Sequence, residues 1–405
     1  ATSFVDSGTG ETLDNCQHVA LGCCTNYIAL CERLGVMDQF DWYPEQYWVE
    51  AGGQTSIIAP GRLPAPLHYA GSFHRAAFLS LTEKIAIARG MVNISLSSRE
   101  MYRDVTFGQY LVMGEQPAGA IAKFWSPIVV SACNMHVERV CAATALKVFQ
   151  DGFLKGKSAG VMGVPKVPLV RLYDRAMELV EDSGGRIMLG TSVEVLDGNG
   201  VTLSSGEQVC ADRVICALPI ERAMKVVRTD ESDTRLSAAA EVTFSPILGV
   251  HLEFDRPVLG YPHAVLVNRP TQWLFRKDAE GRRIHAVISA AEEWMRLDEE
   301  EILRAVVADI RACFPESNRA MLQWGRAVKE RRATFAATPG FEALRNAITA
   351  LGPHARGVTG SRGAGVGVIL AGDYTNTGWP PTMEGATMSG LCAAAAAMQT
   401  TPWNP

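Results

Sequence analysis

Val368-Ile369-Leu370-Ala371-Gly372-Asp373-Tyr374-Thr375-Asn376-Thr377-Gly378, followed shortly by Pro381-Thr382-Met383-Glu384-Gly385-Ala386-Thr387-Met388-Ser389-Gly390, is an apolar run that ends in an acid and leads into a stretch of small residues. Uninterrupted Val, Ile, Leu and Ala predict a strand buried on both faces, the kind found in parallel sheets. Gly372 is expected to let the backbone turn, so that the Asp373 carboxylate emerges at the strand's carboxyl end, where open α/β sheets bind ligands. Thr382 is placed to cap a helix, and Gly385, Ala386, Ser389 and Gly390 leave one of its faces nearly bare. A planar ring or a phosphate has room to approach the unpaired N–H groups at such a helix start, where the macrodipole adds positive charge. The alternative is a strand, a capped loop and a closely packed helix that bind nothing, and spacing alone leaves both readings open.

Working outward, the 405 residues suffice for about two domains. Hydrophobic residues at 47% and charged residues at 20% predict an ordinary globular core. A formal net charge of −5, with no basic stripe, argues against a nucleic-acid partner. The ten cysteines include no CxxC pair and follow no signal peptide, so reduced thiols in the cytoplasm are expected. Cys16, Cys23, Cys24 and Cys31 cluster without zinc-type spacing, and no metal is expected there. No apolar run approaches the ~20 residues of a membrane span. Residues 57–81 are apolar and lightly charged, which leaves peripheral contact with the inner membrane face open.

Residues 1–5 read as an edge strand running into a turn at 6–10, and 27–34 as a helix closed by Gly35. From 42 to 164 the pattern is aromatic and helical, clearest at 84–91 and 142–154. An amphipathic helix is predicted over 166–183, stopped by Gly184-Gly185. Short strands are expected at 186–189, 192–196 and 201–203, the last two joined by a hairpin at Asp197-Gly198-Asn199-Gly200, and then a buried strand at 213–219. Alternation over 246–254, 264–267, 272–275 and 284–290 predicts an antiparallel sheet covered on one face. A helix capped by Asp298 follows over 298–314, then a strand at 327–335 and a Gly-rich linker at 351–367.

Lys329-Glu330-Arg331-Arg332-Ala333-Thr334-Phe335-Ala336-Ala337-Thr338-Pro339-Gly340 together with Leu370-Ala371-Gly372-Asp373 through Ser389-Gly390 resembles the C-terminal signature of the hydroxysqualene dehydroxylases. These are the squalene-associated members of the flavin amine oxidase and phytoene desaturase superfamily. Asp14-Asn15-Cys16-Gln17-His18 is similar to the family's Asp-Asn-Gly/Cys-x-His segment, and Gln272-Trp273 with Val287-Ile288-Ser289-Ala290-Ala291 to its middle region. The resemblance covers essentially the whole chain. It implies a fold of α/β plus α+β type: an FAD-binding Rossmann-like domain of the glutathione-reductase type with an inserted substrate domain of antiparallel sheet and helices. The expected boundaries are 1–45, 160–228 and 364–405 for the former, and 46–159 and 229–363 for the latter. The family's opening strand, GxGxxG turn and helix, which hold the ADP half of FAD, are absent from this sequence. The FAD domain is therefore expected to be N-terminally truncated, and the chain as written to hold FAD weakly.

The same resemblance implies the site. Asp373 would hydrogen-bond the ribityl or phosphate region of FAD, and Thr382, Met383, Glu384, Gly385 and Ala386 would bring the last helix to the isoalloxazine. The Met383 and Glu384 side chains have packing or capping as their alternative. Val193 would meet the adenine through its backbone, and the strand ending Ala217-Leu218-Pro219 would cross beneath the cofactor. Asp14, Asn15, Gln17 and His18 would stand near the flavin's pyrimidine edge or the substrate mouth. His18 is a candidate proton donor, with a satisfied structural histidine as the alternative. The aromatic region 42–125, with Trp273 and Phe275, is the expected lining of an apolar groove, with ordinary core as the alternative. The implied reaction is reductive removal of the hydroxyl of hydroxysqualene to give squalene, in squalene and hopanoid biosynthesis. Other readings are a carotenoid or squalene desaturase, another amine-oxidase-like flavoenzyme, or a lipid-binding relative without cofactor.

Overall fold

The computed structural model describes residues 2–228, 235–349 and 368–398. The Gly-rich stretch 351–367 lies outside the described residues. Two compact units are present. One comprises Ala1–Cys23, Val36–Leu172 and Phe244–Pro339, and the other Cys24–Gly35, Tyr173–Thr243 and Gly340–Pro405.

The first unit is built on a seven-stranded sheet in the order Leu322–Phe335, Phe244–Phe254, Arg283–Ser289, Trp273–Arg276, His263–Leu266, Gln46–Val49, Thr55–Ile58. All neighbours are antiparallel except His263–Leu266 and Gln46–Val49, which run parallel. The expected alternation is present. Leu248, Val250, Leu252, Ala264, Leu274, Ile284, Ala286 and Ile288 share one buried cluster with Ile302, Val306 and Ile310 of the helix Glu299–Cys313. Those three helix residues recur at i, i+4 and i+8, and burying each contributes about 1.5–3 kcal/mol. Asp298 starts that helix with a reciprocal capping box: its carboxylate accepts from Glu301 N at 2.8 Å, and Glu301 accepts from Asp298 N at 2.9 Å.

Three readings of the sequence change. The segment 42–164 is not wholly helical, because Phe40–Tyr43, Gln46–Val49 and Thr55–Ile58 are strands. Trp48 and Val49 are buried although they point to opposite faces, so polar alternation is lost there. The helix expected over 166–183 begins instead as a tight 3-10 turn, Leu169–Tyr173, before Asp174–Asp182. Pro168 has no N–H, and the Asp14 carboxylate takes the Leu169 N–H at 2.9 Å, so the first turn is held by a side chain. Residues 186–189 form no strand; the three-stranded sheet is Val193–Asp197, Gly200–Leu203 and Gln208–Cys210. The hairpin pairing Asp197 with Gly200 stands where the Asp-Gly-Asn-Gly run placed it.

In the second unit Ile215–Cys216 pairs in parallel with Ile369–Leu370. The long helix Met383–Met398 packs beside this pair, Ala393 sharing a small core with Ile369 and Ala371. The helix Thr25–Leu34 ends at Gly35 in the left-handed region, φ 70°, as its sequence predicts.

Among the described residues no helix is long and apolar enough to cross a membrane. The helix Leu81–Leu96 nevertheless exposes Leu81, Ile85, Val92 and Leu96 at one angular position, Leu81 being 69% and Leu96 81% exposed.

Candidate active site

The free face of the seven-stranded sheet floors a cavity of about 150 Å³. Trp48, Val265, Trp273 and Val287 are register partners in turn across four strands, and all four line it. Phe275, two residues beyond Trp273, extends this floor. Ile128 and Ser131 of the helix Ser126–Cys133 form part of the opposite wall. Gly152 and Phe153 come from a wide i→i+5 helical turn, Gln150–Leu154, that carries them to the cavity. Trp273 is held by its indole N–H, which donates to Ser131 Oγ at 2.6 Å. Trp125, also within the aromatic stretch 42–125, is core instead: fully buried, it donates to Gln116 Oε1 at 2.8 Å.

One step along the same face the floor becomes a row of imidazoles. His263 pairs with Phe275, Phe275 with His285, and His285 with His251, whose ring stacks on it at 3.9 Å between centroids. Burial holds His285 well below its ordinary value and pushes His263 down to about 4, so both are neutral at neutral pH. His251 Nε2 donates to the Asp14 carbonyl at 2.8 Å. The Asp14 carboxylate accepts from Ser3 Oγ and Leu169 N, both at Oδ1, so one oxygen of the acid expected near a cofactor is engaged within its own unit. Asn15 reaches Glu330 at 3.4 Å. Gln17, which lines the cavity, donates to the His18 carbonyl and accepts from Lys277. His18 is half-buried with Nδ1 at 3.2 Å from the Cys16 carbonyl, and loss of water pushes its imidazole down to about 4.

The second unit brings Ala217, Pro219 and the segment 372–386 together. The Tyr374 hydroxyl donates to the Leu218 and Ala371 carbonyls at 3.3 and 3.1 Å, and Gly372 N donates to Ser389 Oγ. Gly372 is required less by a turn than by the Tyr374 ring: a Cβ there would lie 2.2 Å from Tyr374 Cε1. Thr382 accepts from Gly385 N at 3.2 Å, the cap its position predicted. Glu384 is 1% exposed, and its carboxylate is spent on the helix Thr25–Leu34, accepting from Asn26 N, Asn26 Nδ2 and Tyr27 N at 3.2, 2.6 and 2.8 Å. That helix has no side-chain cap of its own and no acid in its first turn, so Glu384 supplies both. What Glu384 can offer a ligand is its backbone N–H. Met383 Sδ stands 4.0 Å from the Tyr173 hydroxyl. Val193 pairs with Leu203 in the three-stranded sheet, which reaches the strand–helix segment through Leu196 bridging Val227.

One residue that sequence reading passes over organises this segment. Arg345 is 1% exposed, and its guanidinium donates to the carbonyls of Thr375, Trp379 and Asp373, to Thr377 Oγ1 and to Glu342. The loop carrying Asp373 is thereby held from beneath, and the half-buried Asp373 carboxylate meets the backbone N–H groups of Tyr374 and of its own residue, with no side-chain hydrogen bond among the described residues. Burial raises its carboxyl above the ordinary value.

Comparison with known proteins settles the family. Residues 1–398 match the flavin containing amine oxidoreductases. The chain belongs to that family. It is 30% identical to a hydroxysqualene dehydroxylase of Sinorhizobium fredii over 287 residues, which is 68% of this chain and 62%, less than two-thirds, of that relative. It is 22% identical to the 15-cis-phytoene desaturase of Synechococcus elongatus, across 96% of this chain and 86% of that protein. Among solved structures a putrescine oxidase superposes with a TM-score of 0.69 at 14% identity, covering 98% of this chain and 90% of that one. A cyclohexylamine oxidase from Brevibacterium oxydans gives 0.65 at 16%, with the same coverage.

FAD is the cofactor of this oxidoreductase family. The donor set in the second unit fits it. The Asp373 carboxylate, which no other side chain hydrogen-bonds among the described residues, suits the hydroxyls of a ribityl or ribose group, and the amides of Met383 and Glu384 open a 16-residue helix with no acceptor among the described residues. A Cβ at Gly390 would meet nothing within 4 Å, so this helix retains a bare face.

Proposed function

We propose that this oxidoreductase reductively removes the hydroxyl of a long isoprenoid alcohol, hydroxysqualene being the first candidate. The observation that carries the reading is the sheet-floored cavity: its lining is almost wholly apolar, and the most identical relative named above is a hydroxysqualene dehydroxylase. A cavity of about 150 Å³ accommodates roughly a benzene-sized group. It would therefore receive the hydroxyl-bearing carbon and its neighbours rather than a whole C30 molecule. Trp273 and Phe275 would form the flat wall along which that segment lies.

Asp373, the amides of Met383 and Glu384, and the backbone around Gly372, Thr382, Gly385 and Ala386 would hold the flavin half of FAD, with Ala217 and Pro219 ending the strand beside them. Val193 would serve the adenine. Asp14, Asn15 and Gln17, all in the first unit, would serve the mouth of the substrate cavity, which Gln17 lines. A reduced flavin held there would supply hydride to the carbon that loses oxygen and would be oxidised in doing so, while the hydroxyl, once protonated, would leave as water. The apolar walls keep bulk water from capturing an electron-poor carbon. His18, held neutral, can pass a proton only by donating one N–H and regaining it, which ties turnover to a donor behind it. The second unit would be the cofactor domain and the first the substrate domain. The exposed face Leu81, Ile85, Val92, Leu96 would rest on a membrane, the source of such a substrate.

The test is single-turnover incubation of dithionite-reduced, flavin-loaded enzyme with hydroxysqualene, product identified by mass. Squalene, with flavin reoxidised in step, supports the reading. A desaturase reading is favoured by alignments to phytoene desaturases that span nearly the whole chain. Desaturation of phytoene by the oxidised enzyme, with hydroxysqualene left untouched by the reduced enzyme, would replace the first reading with the second.

A further inference from the structure

Four polar side chains line the otherwise apolar cavity: Gln17, Gln46, Ser131 and Ser289. Gln17 is paired at both ends of its amide, to the His18 carbonyl and to Lys277. Ser131 is also spent, donating to the Pro127 carbonyl and accepting from Trp273, each at 2.6 Å. Gln46 is different. It is 9% exposed, and its side-chain amide has no hydrogen-bond partner within the described residues. It lies two residues before Trp48 on the same strand, and therefore on the same, cavity-facing side.

The amide opens onto the cavity, so an apolar occupant that displaced water from it without offering a hydrogen bond would leave it unsatisfied, at a cost. No neighbour in the strand calls for a polar group there, for Val49 and Trp48 are apolar and Met or Leu would fill the same volume. The amide presents one acceptor and two donors to a space that is otherwise Trp, Phe, Ile and Val. The ligand that satisfies it is apolar along its length with a single hydroxyl, which donates to Oε1 or accepts from Nε2.

We propose that Gln46 is the specificity-determining residue that recognises the hydroxyl of an isoprenoid alcohol in this cavity. This rests on the isoprenoid reading above and sharpens it to one contact. Ser289 does not share the role. It lies two residues beyond Val287, and Gln46 two residues before Trp48, on strands that run the same way. The two are thus at opposite ends of the floor, separated by about 13 Å along the strand direction at ~3.3 Å per residue. A site that hydrogen-bonds a hydroxyl discriminates against the molecule lacking it because its own buried polar group is then stranded.

The experiment titrates flavin-loaded enzyme with farnesol, farnesol methyl ether and farnesene, following quenching of tryptophan fluorescence, since Trp48 and Trp273 line the cavity. Gln46→Met is expected to shift the farnesol-to-farnesene ratio of dissociation constants by tenfold or more towards the hydrocarbon, without lowering Tm. Ser289→Ala should leave the ratio unchanged. The wild type should bind the ether, which has lost the donor hydrogen, at least fivefold more weakly than the alcohol, and this holds the inference to account even if Gln46→Met does not fold. An unshifted ratio in Gln46→Met with both ligands bound, or ether and alcohol binding alike, overturns the role of Gln46 and leaves the isoprenoid reading standing. Failure of all three ligands to bind overturns both.

Discussion

Replacing Arg345 by Met keeps most of the side-chain volume and removes the guanidinium that holds the loop 373–379. Three backbone carbonyls, those of Thr375, Trp379 and Asp373, then lose a charged donor, at distances of 2.6 to 3.1 Å in the native chain. At about 1–3 kcal/mol for each buried acceptor left unpaired, the loss is bracketed at about 3–9 kcal/mol. Two effects pull it down. Removing a buried cation also removes its own desolvation cost, and water can enter to serve some of the carbonyls, so about 3–5 kcal/mol is expected. Arg345→Lys should fall between the two, because one ammonium cannot reach three carbonyls fanned around a planar group. Urea unfolding gives the stability change, and hydrogen exchange followed by mass spectrometry shows where it falls. Exchange should rise first in the peptide covering 373–379 and in the helix Phe341–Thr349. A stability loss below about 1 kcal/mol, or unchanged exchange in that loop, would refute the view that Arg345 is what shapes it.

Glu384→Gln removes the charge but keeps one acceptor for the three N–H groups at the start of Thr25–Leu34. A loss of about 1–2 kcal/mol is expected, with faster exchange confined to that helix; exchange spread evenly over the chain would count against a capping role. For acid stability, the folded value of His263, about 4, lies below its ordinary 6.5. The folded state thus binds fewer protons than the unfolded chain in that window, and stability falls as pH drops from 6.5 through 4. His263→Gln should shrink the stability difference between pH 7.5 and pH 4.5 by about 2–3 kcal/mol, and an unchanged difference would show the imidazole does not titrate as its burial requires. For Asp373 the sign reverses. Its raised carboxyl is most stabilising below 3.8 and loses that contribution as pH rises through the folded value, so the charged form burdens the fold at neutral pH. Asp373→Asn should raise Tm at pH 7, with the gain fading as pH approaches 3.8, while retaining less flavin by absorbance; a lower Tm at pH 7 contradicts this.

The parts that sequence made legible are those where one local rule acts alone. Alternation gave the four middle strands of the large sheet because the residues facing the helix Glu299–Cys313 are uniformly apolar, although the structure buries the opposite face too, with His251, His263 and His285 on it. Asp298, Gly35 and the Asp197–Gly200 turn are short-range devices, readable from their own neighbours. Gln46–Val49 escaped because Trp48 and Val49 are buried on both faces, which hides a strand inside an aromatic segment. Arg345 escaped for the opposite reason: an Arg in mid-helix ordinarily reaches for water, and nothing local marks one whose partners lie 28 to 34 residues further on. The roles expected of Glu384 and Asp14 were legible as positions but not as chemistry. Whether a carboxylate is free or already committed depends on which distant N–H groups arrive beside it.

That commitment sets an order of events during synthesis. The helix Thr25–Leu34 leaves the ribosome with bare amide ends, and the carboxylate that quiets them is translated 358 positions after Asn26. Completion of the second unit therefore waits for Met383–Met398 to emerge, and a premature stop just before Met383 would disarm a helix encoded about 350 codons earlier.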